Sequence, residues 1–599
     1  MLIVPRGRRV LFVASVAILG TFYFWSLPKD AIHPVQLDLP ATVSVPSSLP
    51  LNEVYAWRTL KTNYPVSTVA SLPTEQPRSF PKVQAVFAEE SGSSRQQRLE
   101  RQRAVRETFL RSWKAYKEHA WLQDELKPVT GGSRSPFGGW AASLVDALDT
   151  LWIMDLKEEF AEAVGAIDQI DFRETTLIEV NVFETTIRYL GGFLSAFDLS
   201  QDPRLLQKAV EVGDMIYKSF DTPNHMPVMR WDIKAAANGE RQVANSGTLL
   251  AEIGSLCMEL THLSQISGDP KWFDAAHRIT QALANQQDST ELPGMWPLVV
   301  DAEKQNFNAG STFTLGAMAD SLYEYLPKMV ALTGGQLPIY QELYEKAMEV
   351  APKHLFYKPM TPTNEDILVS TAFHTKGGSA VHGERDTQGQ HLVCFLGGML
   401  ALGSKLFERQ QDMQLAEKLT DGCIYAYRAF PHRIMPETWH MVPCEPDSEC
   451  SWDENTWKKE VLRINSMGSD ATLQEADAII HDDALPQGFT KISDRRYILR
   501  PEAIESVFVL YRITGRQSFA DAAWDMFTAI EASTRTSLAN SAVSDITRSG
   551  EPPRQDSMES FWMGETLKYA YLTFSEPGLI SLDDYVFNTE AHPFRRLKP

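Results

Sequence analysis

From residue 140 onward the chain repeats one plan: an apolar run of helical length, a short polar turn, then an amphipathic run. Phe183 to Leu199, the turn Ser200-Gln201-Asp202-Pro203, and Arg204 to Phe220 form one such unit. Gly247 to Ser264, Ser267-Gly268-Asp269-Pro270, and Lys271 to Leu283 form the next. The plan also fits Leu315 to Leu332 with Thr333-Gly334-Gly335, His391 to Phe407 with Gln410-Gln411-Asp412, and Pro501 to Ile513 with Thr514-Gly515-Arg516. Adding Trp140 to Met154 and Ser557 to Phe574 gives about seven first helices. A charged helix starting near Arg98 supplies the missing second helix from the other end. Such self-similarity makes either an open α-solenoid or a closed toroid. Closure is favoured on two grounds. The first helices are apolar nearly all round, as an inner ring covered by an outer one must be. The terminal helices also lack the polar faces that cap an open array. The fold class is therefore all-α, with the acidic stretch from Pro443 to Arg495 read as an insertion near 443–495.

The N-terminus has a different grammar. Arg6, Arg8 and Arg9 lie in a short tail (1–9) before an uncharged, mostly apolar run at 10–27. That run is about 18 residues, or ~27 Å as a helix, enough to cross a thin bilayer. It ends in Phe22-Tyr23-Phe24-Trp25, bulky rings that suit a membrane interface and not a signal-peptidase site. The reading is an uncleaved type II anchor with a cytoplasmic tail. A proline-rich stem (28–97, with Pro34, Pro40, Pro46, Pro50, Pro65 and Pro81) follows, and the folded domain occupies 98–599. That topology allows disulfides among Cys257, Cys394, Cys423, Cys444 and Cys450. Cys394 with Cys423 and Cys444 with Cys450 are plausible pairs, but spacing alone does not fix connectivity. The formal charge of −20 argues against a nucleic-acid partner.

Carboxylates recur near the starts of the apolar helices: Glu184, Asp320, Glu502 with Glu505, and Glu559 with Glu565. Any one of them could be a dipole partner for its own helix. Together they would repel one another, so burying them calls for a cation or a ligand. If the inner helices run parallel, the acids meet at one mouth. Paired carboxylates there suit glycoside hydrolysis, one protonating the leaving oxygen and the other activating water.

At these positions the sequence resembles glycoside hydrolase family 47, the class I α-1,2-mannosidases. The resemblance runs from about residue 98 to 594 and rests on several motifs in order: Leu144 to Leu151, Phe183 to Arg188, Ala319-Asp320-Ser321, His391 to Phe395, Pro436 to Trp439, Leu499 to Glu502, and Phe587 to Pro593. It implies an (α/α)7 barrel, in agreement with the repeat count. It also implies an inverting enzyme trimming α-1,2-mannose from Man9-type N-glycans in the Golgi or endoplasmic reticulum. Glu184 then stands as the acid, acting through a water; Glu502 stands as the base, with Asp320 assisting or competing. Glu437 completes the catalytic set. Arg188, Arg500, Glu505, Phe561, Glu565 and Glu590 fall where the family contacts sugar, its water or the ion shell. Thr589 corresponds to the residue that binds Ca²⁺ through its carbonyl and hydroxyl. Cys394 and Cys423 correspond to a disulfide of the processing enzymes, which the glycan-recognising degradation relatives generally lack. Met318 departs from the arginine of many endoplasmic-reticulum members, which implies a broader, Golgi-like preference. The competing expectations are a degradation-pathway relative, a non-catalytic helical scaffold on the membrane, and an (α/α)6 hydrolase.

Overall fold

The computed structural model describes residues 56–444, 450–468 and 471–599. The expected tail (1–9), anchor (10–27) and first part of the stem (28–55) lie outside the described residues. Among the described residues no helix is long and apolar enough to cross a membrane.

The repeats fold as helical hairpins. The inner helices are α2 (Ala142–Ile153), α4 (Gly191–Ser200), α6 (Cys257–Ser267), α8 (Asp320–Leu332), α10 (Leu396–Leu406), α14 (Glu502–Thr514) and α16 (Leu567–Thr573). Their outer partners, in the same order, are α3 (Lys157–Ala166), α5 (Pro203–Lys218), α7 (Lys271–Ala284), α9 (Pro338–Leu355), α11 (Gln410–Ala429) and α15 (Gln517–Thr534). The long helix α1 (Gly92–His119) covers α16, as expected of the seventh outer helix. Each inner helix packs on the next, and the π-helical turn Trp562–Thr566 ahead of α16 returns to α2, so the ring closes among the described residues.

Burial follows the sequence pattern. Every residue of α2 except Trp152 is buried, whereas its outer partner α3 buries only Phe160, Ala163, Val164 and Ala166. The connecting turns are chemically specified. Asp202 caps the Arg204 N–H with Pro203 in the first turn of α5. Gly268 and Gly515 end α6 and α14 in the left-handed region. These tight turns lie at one end of the ring, and the long loops with short strands lie at the other.

The insertion is a strand–helix–helix–strand excursion. Strands β1 (Gln388–Gln390), β2 (Thr438–Met441) and β3 (Phe489–Asp494) form an antiparallel sheet in that order. Helices α12 (Glu454–Ile464) and α13 (Leu473–Asp482) pack beside it, with Trp457 Nε1 donating to the Phe489 carbonyl at 2.7 Å. At the C-terminus β4 (Tyr585–Phe587) pairs with β5 (Pro593–Arg595), and its tip enters the ring.

The stem differs from expectation. The helix expected near Arg98 begins at Gly92, and residues 57–90 run as a strap along the barrel. Trp57 is buried against Trp231 (ring centroids 5.6 Å apart) and Val83 is fully buried. Beyond the short helix Ala56–Thr59 the prolines keep this segment out of helix, which leaves its amides needing acceptors. Carboxylates of the barrel provide them. Tyr64 N–H donates to Asp221 at 2.7 Å, Ala70 N–H to Asp274 at 2.8 Å, and Val83 N–H to Asp583 at 2.7 Å. Gly334 and Gly335 permit the crossing. Both have positive φ, and a Cβ would meet Pro77 at 2.6 Å and Phe80 at 2.7 Å.

Candidate active site

The helix starts at the loop end carry the polar residues, and two of the starts are π-helical. Asn181 caps the first of them, its Oδ1 accepting from the N–H groups of Phe183 and Glu184. The chain then widens into a π-helical stretch, Thr185–Leu190, which turns Arg188 into the barrel. The second π-helical stretch, Trp562–Thr566, carries Glu565. Such widened turns recur at functional sites.

Two arginines organise the mouth. Arg188 donates from Nε to Glu184 at 2.9 Å, and from Nη1 to Glu590 at 2.7 Å and to Ser560 Oγ at 3.0 Å. Arg500 donates from Nε to Glu437 at 2.6 Å and faces Glu502 at 3.4 Å. Phe561 lies between them, its ring 6.0 Å from the Arg188 guanidinium carbon and 5.9 Å from that of Arg500. This places an apolar face between two guanidiniums, some of whose N–H donors are already held by Glu184, Glu590, Ser560 and Glu437, a surface suited to a polyol with one apolar side.

The acids are strained electrostatically. Burial lifts Glu502 to about 7 against the pull of Arg500. Asp320 also reaches about 7, through burial, with Glu324 and Glu502 adding repulsion. Glu505 is lifted to about 8 by burial, against Lys328. Burial raises Glu590 to about 8, and burial beside Glu590 and Glu502 holds Glu565 well above the carboxylate range. Glu437 is raised by burial and restrained by Arg500. Glu502 Oε2 and Glu437 Oε1 are buried with no hydrogen-bond partner. The site is therefore an oxygen-rich cluster with unsatisfied acceptors, whose acids resist ionising without a compensating charge. That donor set fits a hard divalent cation.

Thr589 stands at the tip of the β4–β5 hairpin, with its N–H donating to Tyr325 Oη at 3.2 Å. Among the described residues no group of three His, Cys, Asp or Glu side chains is placed to hold a metal. The structure thus brings Glu184, Arg188, Asp320, Glu437, Arg500, Glu502, Glu505, Phe561, Glu565 and Glu590 into one linked cluster.

Several residues of this site had no assigned role in the sequence. Asp146 and Asp149 are fully buried on α2. Asp149 bonds Lys568 and His592, both at 2.7 Å, and Asp146 faces Arg188 at 3.4 Å. Burial would raise Asp149, but Lys568 and His592 outweigh it and hold the carboxyl low. The signal available was two acids three apart on an otherwise apolar helix. Lys328, ion-paired to Glu324 and facing Glu505 at 3.5 Å, gave no such signal. Cys394–Cys423 and Cys444–Cys450 are both disulfides. Cys257 is a buried free thiol, pushed up to about 12 by burial and so unsuited to nucleophilic work.

The profile of glycosyl hydrolase family 47 matches residues 108–596. The chain belongs to that family. It is 35% identical over 497 residues to the human "Endoplasmic reticulum mannosyl-oligosaccharide 1,2-alpha-mannosidase", covering 82% of this chain and 64% of the human protein. It thus spans less than two thirds of that relative's length. The "Mannosyl-oligosaccharide 1,2-alpha-mannosidase" of Candida albicans is 32% identical, covering 84% of this chain and 85% of that protein. The solved structure of an α-1,2-mannosidase from Trichoderma reesei superposes with a TM-score of 0.71 at 29% identity, covering 83% of this chain and 99% of the other. Family 47 membership and that superposition give the closed ring its fold assignment. The strap at 57–90 lies outside the matched 108–596.

Proposed function

We propose that this protein removes terminal α-1,2-linked mannose from high-mannose N-glycans, with inversion and with Ca²⁺ as cofactor, as a secretory-pathway enzyme held by its N-terminal segment. The observation that carries the reading is the cluster of raised carboxyls around Phe561, flanked by Arg188 and Arg500, in a chain of this family. Phe561 takes an apolar sugar face while the guanidiniums hold hydroxyls. Glu184, oriented by Arg188, is the group that delivers a proton to the leaving oxygen through a water. Glu502, with a pKa of about 7, is poised to accept a proton from the attacking water near neutrality. Asp320 shares that pKa and stands as its alternative. Thr589 would hold the cation, with Glu505, Glu565 and Glu590 ordering its water. When bound, Ca²⁺ supplies a hard positive charge against sugar hydroxyls and the surrounding carboxylates.

Met318 is 52% exposed at the mouth with a φ of 74°. It offers apolar contact where an arginine would clamp hydroxyls, which favours removal of several α-1,2 mannoses. The Cys394–Cys423 bridge supports a processing enzyme over a degradation-pathway relative.

The test is a time course on Man9 glycan with and without EDTA, resolving product isomers and the anomer of released mannose. Sequential loss of several mannoses as the β-anomer, abolished by EDTA and restored by Ca²⁺, is expected. Glu502→Gln and Glu184→Gln should each lower kcat by about 100-fold or more. Arrest after one defined mannose would overturn the specificity reading, and wild-type turnover in both variants the catalytic one.

A further inference from the structure

The tip carrying Thr589 is held by a second set of buried groups that contact neither of the mouth arginines. Glu259 projects from the first turn of α6 and is completely buried. Its Oε1 accepts from Tyr325 Oη at 2.6 Å and from Asn588 Nδ2 at 2.8 Å. The Tyr325 hydroxyl in turn accepts from Thr589 N–H. Asn588 is used in full: its second N–H donates to the Ile187 carbonyl at 3.1 Å, and its Oδ1 accepts from Glu590 N at 2.9 Å and His592 N at 2.8 Å. The approach is tight. A Cβ on Gly191 would come within 2.7 Å of Asn588 Nδ2, so only glycine there lets α4 reach the tip.

The geometry matters because both donors point at Glu259 together. Tyr325 must donate to Glu259, since its lone pair takes the Thr589 amide, and Asn588 must donate because its oxygen is already shared by two amides. An acceptor-only carboxylate suits that demand. The Thr589 hydroxyl itself has no protein partner among the described residues. The rest of the tip is thus fixed while one oxygen of Thr589 stays available.

We propose that Glu259, Tyr325 and Asn588 are positioning residues that pre-set the Thr589 tip for cation binding, so that their loss weakens the metal and not primarily the fold. The proposal rests on the calcium reading above. It predicts that Tyr325→Phe, in the full chain stripped with EDTA, binds Ca²⁺ about 10–100-fold more weakly by calorimetry. It should also show a smaller Ca²⁺-dependent rise in Tm.

Tyr323→Phe is the matched control. It is a fully buried tyrosine on the same helix whose hydroxyl accepts from Trp296 N–H at 3.2 Å and does not touch the tip. It should lower the Tm of the metal-free protein yet keep wild-type Ca²⁺ affinity. Glu259→Gln, which retains one acceptor oxygen, should keep wild-type affinity, whereas Glu259→Met should lose it. This second pair decides the matter if Tyr325→Phe does not fold. Wild-type affinity in Tyr325→Phe or in Glu259→Met overturns the proposal and leaves the calcium reading standing. Equal loss in Tyr325→Phe and Tyr323→Phe also overturns it, as a stability effect. A wild-type protein that takes up no Ca²⁺ overturns both.

Discussion

Glu502, Asp320 and Glu505 are raised chiefly by burial, to about 7, 7 and 8. Their ordinary values lie near 4, so in each case the folded pKa is above the unfolded one. Such a group contributes stability that is full below the unfolded pKa and is lost as pH rises through the folded value. Metal-stripped protein should therefore lose Tm steadily between about pH 5 and pH 8, the reverse of ordinary acid denaturation. Thermal unfolding in EDTA across that range is the measurement, and Glu505→Gln should flatten the slope. Added Ca²⁺ should restore more Tm at pH 8 than at pH 5.5, because only the ionised cluster welcomes a cation. A Tm that climbs with pH in EDTA would mean the acids ionise at no cost. At this scale the sequence was partly legible. Glu184, Asp320 and Glu502 stood out because a carboxylate opening an apolar helix is conspicuous. Lys328 and Tyr325 did not, since a polar residue inside a helix looks the same whether it faces a core network or the surface.

The helices were legible as elements because inner and outer members differ in how far their apolar faces extend. The starts of the inner helices were less so. Phe183 to Leu199 reads as one helix, yet it holds a π-helical stretch at Thr185–Leu190. Gly247 to Ser264 is broken around Ser255 and Leu256. Neither irregularity has a sequence signature of its own; each arises from fitting Arg188 or the mouth loops to the ring. Most of the short strands were also hidden, because runs of two to four residues are too short to display a period. Cys394–Cys423 ties the start of α10 to α11 within one hairpin, across 29 residues of chain. Closing a loop of that size constrains the unfolded chain by about 3–4 kcal/mol. The Cys394→Ser, Cys423→Ser double variant should lose about 3 kcal/mol in a guanidinium titration. It should nonetheless retain turnover at 25 °C, since neither sulfur touches the cluster. Loss of turnover without loss of stability would show the bridge acting on the site through Ser506, which donates to the Cys394 carbonyl from the helix bearing Glu502.

For the whole molecule, the strap decides how the ring is braced. Neighbouring hairpins hold one another, but nothing in a toroid of hairpins ties distant ones together except the chain ends. Residues 57–90 do so. They lie against α5 through Trp57 and against α7 through Asp274, and they cross the turn at Gly334. They then reach the loop before β4 through Asp583, and Arg512 on α14 through the Ala85 N–H. The far end of this path is the base of the hairpin whose tip carries Thr589. Composition alone suggested a spacer, because proline-rich sequence is extended whether it is free or docked. What distinguishes docking is the apolar residues at intervals, Trp57, Leu60, Leu72, Phe80, Val83 and Phe87, all packed on the core. Burying Trp57 and Val83 alone is worth roughly 1.5–3 kcal/mol each. Removing the strap also strips Asp221, Asp274 and Asp583 of their amide donors. A chain begun at residue 56 should therefore melt well above one begun at residue 91, and the shorter chain should need more Ca²⁺ to reach half-maximal activity. Trp57→Ala and Asp583→Ala in the longer chain should each give part of the loss. Equal melting temperatures for the two chains would return the segment to the role of a passive spacer.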